Sequence, residues 1–255
     1  ITMVGYMYEN GYGVPQSYVT AAIYYRQAAE LGESTAMLNL GKAYFYEHGV
    51  PQSYATAIKY FRQAAEHGNS DALGWIGYMY ECGFGVKQSY KDALKYYQDG
   101  AAKDSALALN SLGIMYEEGK GVTQNPKKAV EYYQASADLG FRSGQYNLGK
   151  MYYYGRGIAQ SYDSAAKYWQ MAANQGEAEA QHGLGILYYS SGQYDAALAL
   201  FVQAAAQGKP EAQYNAGVMY YNGNGVEKSV ETAVMYWEQA AAQGYQPAIQ
   251  ALSEY

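Results

Sequence analysis

Leu148-Gly149-Lys150-Met151-Tyr152-Tyr153-Tyr154-Gly155-Arg156-Gly157-Ile158 leads, after a short polar stretch, into Ser161-Tyr162-Asp163-Ser164-Ala165-Ala166-Lys167-Tyr168-Trp169-Gln170-Met171-Ala172-Ala173 and closes at Gly176. In the second segment apolar residues fall at 0, +3, +6/+7 and +10/+11 from Tyr162, which is a helical period and not the alternation of a strand. Ser161 is placed to cap that helix, and Gly176 to end it, since glycine enters the left-handed conformation at little cost. The segment ahead of the Gly-Arg-Gly loop carries a second helical pattern. The local unit is therefore two helices joined by a loop of about seven residues.

The same unit recurs along the chain. Glycine returns at Gly5, Gly41, Gly77, Gly113, Gly149 and Gly185, each 36 residues after the last, and then at Gly217 after 32. Tyrosine follows three residues behind each of them, at Tyr8, Tyr44, Tyr80, Tyr116, Tyr152, Tyr188 and Tyr220. Loops of the Gly-X-Gly-Val type come next at Gly11, Gly83, Gly119, Gly155 and Gly223; the second repeat keeps only Gly49-Val50, with Glu47 at the first glycine's place. The sixth repeat drops four residues here and runs Ser190-Ser191-Gly192-Gln193, which accounts for the one short interval. Ser17, Ser53, Ser89 and Ser229 repeat the cap, and Asn125-Pro126 is a cap followed by proline at the first helical position. Gly32, Gly68, Gly140, Gly208 and Gly244 repeat the stop, with Asp104 in the third unit.

Alanines at Ala21, Ala57, Ala93, Ala129, Ala165, Ala197 and Ala233 predict close helix crossings, and the doubled aromatics are expected to fill the gap between units. Neither helix of one unit can bury its apolar stripe alone, whereas stacking buries each face twice. The expected fold is all-α, a right-handed α/α superhelical solenoid of about seven two-helix repeats forming a single array over 1–255. Its units are 1–32 (with a partial first helix), 33–68, 69–104, 105–140, 141–176, 177–208, 209–244, and 245–255 as the start of a further one. Because the pattern is open at both ends, the sequence reads as a slice of a longer array.

Composition narrows the function. Net charge is −6, from 17 basic and 23 acidic residues, so the positive footprint of a nucleic-acid binder is missing. The single cysteine, Cys82, can form neither an internal disulfide nor a zinc cage. No run approaches the ~18–20 apolar residues of a membrane span, so direct membrane insertion is not expected. The Gly-X-Gly pairs lack the preceding strand and third glycine of a dinucleotide site, and His48, His67 and His182 are far apart in repeat register. No enzymatic activity, metal or cofactor is predicted. The 33 tyrosines against 5 phenylalanines point to a geometry that uses large rings with a wet end.

The unit Leu148-Gly149-Lys150-Met151-Tyr152, Gly155-Arg156-Gly157-Ile158, Ala165, Tyr168-Trp169, Ala172-Ala173, Gly176 resembles a Sel1-like repeat, a relative of the tetratricopeptide repeat with a longer Gly-X-Gly loop. The sixth unit, with its shortened loop, resembles a plain tetratricopeptide repeat. What the resemblance implies is a superhelix whose first helices line a concave face, and a role in assembling or regulating other proteins. It also implies a bacterial secreted or periplasmic location, with a cytoplasmic one as the alternative. The paired cysteines that staple some bacterial members are missing here.

If helix geometry follows tetratricopeptide repeats, the concave positions lie one, four and five residues after the recurrent glycine and three before it. The expected partner-binding residues are then Tyr6, Glu9, Lys42, Phe45, Tyr46, Tyr78, Glu81, Glu117 and Glu118 in the first half. In the second half they are Tyr146, Lys150, Tyr153, Tyr154, His182, Tyr189, Tyr214 and Tyr221. The expected ligand is a protein or peptide, because such rings dominate binding hot spots. Lys42 with Asn39 and Lys150 with Asn147 faintly resemble the Lys/Asn carboxylate clamps of some tetratricopeptide domains, although the asparagines suit backbone bonding equally. The alternative function is a structural, self-assembling repeat array that packs laterally or end-to-end through its open repeat ends, with a filament as one form.

Overall fold

The computed structural model describes residues 1–254, and among them it contains fifteen α-helices and no strand. First helices of the repeats are α1 (Thr2–Asn10), α3 (Ser34–Tyr46), α5 (Ser70–Cys82), α7 (Ala106–Glu118), α9 (Arg142–Tyr154), α11 (Ala178–Ser190) and α13 (Pro210–Asn222). Second helices are α2 (Tyr18–Glu30), α4 (Tyr54–Glu66), α6 (Tyr90–Ala101), α8 (Pro126–Asp138), α10 (Tyr162–Asn174), α12 (Tyr194–Ala206) and α14 (Val230–Ala242), and α15 (Gln246–Glu254) opens an eighth unit. Each first helix packs against its own second helix, and each second helix against the next first helix within a unit of the stack, which is a solenoid of two-helix repeats. The chain divides into two compact units, Ile1–Gly140 and Phe141–Tyr255, at the border between the fourth and fifth repeats.

The capping residues act as their spacing predicts. Ser17, Ser53, Ser89, Ser161, Ser229 and Asn125 each accept a hydrogen bond from the backbone N–H three residues on. Among the described residues, two that are not glycine carry a positive φ: Glu47 at 62° and Asp104 at 57°, each where other repeats have glycine. The sixth repeat departs again, because Gln193 precedes α12 without a side-chain cap.

The recurrent glycine is a packing requirement. A Cβ on Gly113 would lie 2.4 Å from the Tyr133 ring, one on Gly149 2.5 Å from Trp169, and one on Gly41 2.6 Å from Phe61. So the second ring of each aromatic doublet sits on the glycine of its own unit, where the expectation was that the doublets fill the gap between units. It reaches the next unit as well: Phe61 stacks on Trp75 at 5.4 Å, and Trp169 lies over Gly183. The first ring of the doublet stays inside its unit and stacks nearly parallel on the tyrosine three after the glycine. Examples are Tyr8 on Tyr24 at 5.7 Å and Tyr152 on Tyr168 at 5.8 Å. The seven alanines beneath these rings are all buried.

Unit 2 adds a polar seam. Gln145, Gln181 and Gln213, all buried, accept from Gln175, Gln207 and Gln243 respectively at 2.8–2.9 Å. Gln181 and Gln213 also donate to the carbonyls of Ala173 and Ala205 in the preceding repeat, at 3.4 and 3.3 Å. In unit 1 the same register holds Met37, Leu73 and Leu109, buried as apolar packing.

Candidate functional site

Position +4 after the recurrent glycine separates core from surface. Where the second ring of the doublet is tyrosine, this position is glutamate: Tyr25 donates to Glu9, Tyr97 to Glu81 at 2.7 Å and Tyr133 to Glu117 at 2.7 Å. Burial, and then the neighbouring carboxylate, push all three phenols well above the usual tyrosine range. Where the second ring lacks a hydroxyl, position +4 is itself a ring. Phe61 goes with Phe45, Trp169 with Tyr153, Phe201 with Tyr189 and Trp237 with Tyr221. The two indoles donate instead to the carbonyls of Tyr146 and Tyr214, at 3.1 and 3.3 Å. A buried phenol needs an acceptor and a buried phenyl needs apolar cover, so the two positions, 16 residues apart, change together.

This coupling reassigns part of the expected groove. Glu9, Glu81 and Glu117 accept hydroxyls from the core beneath them, and Phe45 is buried among Tyr46, Tyr54, Trp75, Tyr78 and Phe84. Phe45 is thus a core ring, not an exposed groove residue as its register suggested. Glu118 is exposed and pairs with Lys120 at 2.6 Å, whose ammonium also reaches Glu81 at 3.6 Å. Asn39 hydrogen-bonds Tyr25, so in unit 1 the asparagine of the clamp-like pair is engaged with the core.

Unit 1 presents a ring patch on α3 and α5. Tyr46 is half exposed and Tyr78 is exposed at its edge; Trp75 lies between them, edge-on to both at 5.9 and 6.1 Å. Lys42 places its ammonium 5.7 Å from the Trp75 ring centre, and burial lowers its pKa. Cys82 hydrogen-bonds Tyr78, and burial pushes its thiol up. Tyr6 is exposed and stands apart from this patch, 5.9 Å from Tyr12. Trp75 escaped the register reading because it stands two residues before the glycine, at a position with no recurring ring.

Unit 2 gathers Tyr146, Lys150, Tyr153, Tyr154 and His182 around one cleft of about 290 Å³ between α9, α11 and α13. Trp169 forms the inner wall, and Lys209, Glu179 and Glu211 form the polar rim. Tyr154 is more than half exposed and carries Arg156 5.1 Å from its ring centre. Asn215 donates to His182 Nε2 at 3.0 Å, and burial, then Lys209, lower the histidine's pKa, so the ring is neutral. Lys209 bridges Glu179 at 2.8 Å and Glu211 at 3.1 Å. Burial alone would lower its pKa, but these two bonds outweigh burial and raise it. A second cleft of about 330 Å³ follows, walled by Ile186, Tyr189, Tyr214 and Val218. Tyr221 lies beyond it, 5.5 Å from Trp237, with the Lys228 ammonium 5.1 Å from its ring centre. No group of metal-ligating side chains occurs among the described residues, and no helix is long and apolar enough to cross a membrane.

Comparison with known proteins agrees with this architecture. The Sel1 repeat pattern matches residues 1–33, 34–69, 70–105, 106–141, 142–177 and 210–245, and a tetratricopeptide repeat pattern matches 180–213, the repeat with the shortened loop. Among solved structures, a protective antigen present in uropathogenic Escherichia coli strains, displaying an SLR fold, is 35% identical over 97% of this chain, with a TM-score of 0.68. The chain spans about half the length of that protein, 54% of it. A Sel1 repeat protein from Oxalobacter formigenes is 27% identical over 99% of this chain and 74% of its own, with a TM-score of 0.74. A comparison with curated proteins gives no match. Repeats of this type are generally protein-interaction scaffolds. With six of its seven units matched by one repeat pattern and the intervening unit by a related one, the chain belongs to the Sel1 repeat family.

Proposed function

We propose that the chain is a non-enzymatic scaffold that binds a protein or peptide on the ring-walled faces of its first helices. In unit 1 the surface centres on Tyr46, Trp75 and Tyr78; in unit 2 it is the cleft around Tyr146, Lys150, Tyr154 and His182. The observation that carries the reading is the unit 2 cleft. Rigid rings with polar tips surround a few fixed polar groups, in a volume of about 290 Å³, the composition of a binding pocket that takes an anchoring side chain. The likeness to a protective antigen supports a bacterial protein placed outside the cytoplasm.

The test replaces Tyr46, Tyr78 and Tyr154 with alanine in one chain and compares its partners with those of the parent by affinity capture and mass spectrometry. Binding partners are expected to vanish while the circular dichroism spectrum and melting temperature stay unchanged. For one isolated partner, loss of a single anchoring ring should weaken binding about 30-fold, the effect of a ~2 kcal/mol hot spot. Unfolding or disassembly of the variant would instead make these rings packing elements of a self-assembling array and overturn the binding reading.

A further inference from the structure

The full-length loops show what covers the start of the preceding second helix. In unit 1 the middle residues of the second and third loops lie on the tyrosine that opens the previous repeat's second helix. His48 stacks on Tyr18 at 4.3 Å and Phe84 packs on Tyr54 at 4.8 Å, while Lys120 interacts electrostatically with Tyr90. The glycine that follows closes onto the same residue: a Cβ on Gly49 would lie 2.2 Å from Tyr18, and one on Gly121 2.6 Å from Tyr90. Val50, Val86 and Val122 then tuck against the core. In unit 2 the seventh repeat does the same, with Gly225 over Tyr194 and Val226 against the core.

The sixth repeat is four residues short at this place, so nothing of its own covers Tyr162. Tyr162 is 54% exposed, against 38% for Tyr18, 37% for Tyr90 and 39% for Tyr194. Beside it opens a cleft of about 520 Å³ walled by Tyr153, Tyr162, Asp163, Ala166, Leu187 and Tyr188, with the shortened loop itself, Ser190, Ser191 and Gln193, along its edge. Asp163 is its one charged wall residue among the described residues.

We propose that this cleft is a docking site for a turn of a partner protein that carries an arginine followed by a small residue and an aliphatic one. The turn takes the place of the loop the sixth repeat lacks. The choice of arginine rests on charge and shape. A guanidinium stacks on the free face of Tyr162 as His48 stacks on Tyr18, and it pairs with the Asp163 carboxylate beside that ring. The small residue permits the close approach that Gly49 and Gly225 make elsewhere. The aliphatic residue then meets Ala166 and Leu187, where the other loops set valine. This surface shares only Tyr153 with the cleft described above, and its test does not depend on that reading.

A fluorescein-labelled peptide with the sequence of residues 154–159, Tyr-Gly-Arg-Gly-Ile-Ala, serves as the probe, and anisotropy on the full chain as the readout. Saturable binding is expected with a dissociation constant on the order of 0.1–1 mM, about −4 to −5.5 kcal/mol. Asp163→Asn, Tyr162→Ala and a peptide with glutamate in place of arginine should each weaken it at least ~10-fold. Inserting Gly-Asn-Gly-Val after Ser190, which restores the loop in cis, should abolish it; if that chain does not fold, the two point variants decide. His182→Ala, which alters the groove at a residue with no contact to this cleft, should leave binding unchanged. Absence of saturation up to ~5 mM would overturn the proposal, that being weaker than the millimolar limit of a specific short contact. Equal binding to a folded loop-restored chain, or loss of binding in His182→Ala, would overturn it as well.

Discussion

Replacing Tyr97 with phenylalanine removes one oxygen from the interior of unit 1 and leaves the Glu81 carboxylate without its closest donor. The hydroxyl donates to Glu81 at 2.7 Å, and the Glu81 side chain is only 15% exposed, so water replaces the lost bond poorly. A hydrogen bond to a charged acceptor contributes about 1.5–3 kcal/mol, and Tyr97→Phe should cost about 2. Glu81→Phe alone leaves the phenol with Ser111 as its remaining partner and should cost about 1–2 kcal/mol. It also removes the 3.6 Å contact to Lys120, but that ammonium keeps Glu118 at 2.6 Å, and an exposed pair contributes little. The double variant recreates the second repeat, where Phe61 and Phe45 occupy the same two positions without any polar atom. It should return to within about 1 kcal/mol of the parent, a coupling of about 2–4 kcal/mol between the two sites. Urea unfolding of the four chains at pH 7, followed by far-UV circular dichroism with the slope m checked for constancy, measures this. Additive costs, or a Tyr97→Phe effect below about 0.5 kcal/mol, would refute the claim that phenol and carboxylate form one structural unit.

Two further outcomes follow from the backbone and from titration. Asp104 holds a left-handed φ of 57° where other repeats have glycine, so Asp104→Gly should stabilise the chain by about 0.5–1 kcal/mol and raise the thermal midpoint; no change would mean the aspartate is unstrained there. The phenols of Tyr25, Tyr97 and Tyr133 are raised in the folded state, first by burial and then by their carboxylates, and that of Tyr78 is raised to about 12. Because the unfolded chain releases these protons near pH ~10, their stabilisation is complete below that pH and declines as pH climbs through 10 towards the folded values. Urea midpoints measured between pH 8 and 11 should fall above pH 10, and less so in Tyr97→Phe/Tyr133→Phe; a flat profile would contradict the assignment.

Much of this architecture was legible in the sequence, because each repeat restates the same local rules. Ser161 caps, Gly176 stops, and the interval from Gly149 to Tyr152 recurs often enough to exclude accident. What stayed hidden needed register across two helices at once. Glu81 looks like a groove acid until Tyr97, 16 residues on, is seen to be a buried phenol in search of an acceptor. Comparing the two columns repeat by repeat would have found it. Phe45 misled for the same reason: helical register gives a direction, whereas burial depends on Trp75 and Phe84 from the next repeat. Trp75 itself was invisible to periodicity because it occurs once. The doublets were placed between units, but the glycine's missing Cβ draws the second ring back onto its own repeat.

The amide seam of unit 2 bears on how such an array can be rearranged. Gln181 takes a proton donor from the end of its own repeat and supplies one to Ala173 in the repeat before; Gln213 does likewise towards Ala205. Duplicating or exchanging repeats among the last three preserves these head-to-tail links. Moving one of them into the first half would carry its own amide pair along, since both glutamines lie in one repeat, and its outgoing bond would need only the backbone carbonyl at the matching place, Ala65 or Ala101. The amide pair is therefore inherited with its repeat, and what such a repeat asks of a new neighbour is a backbone group that any repeat supplies.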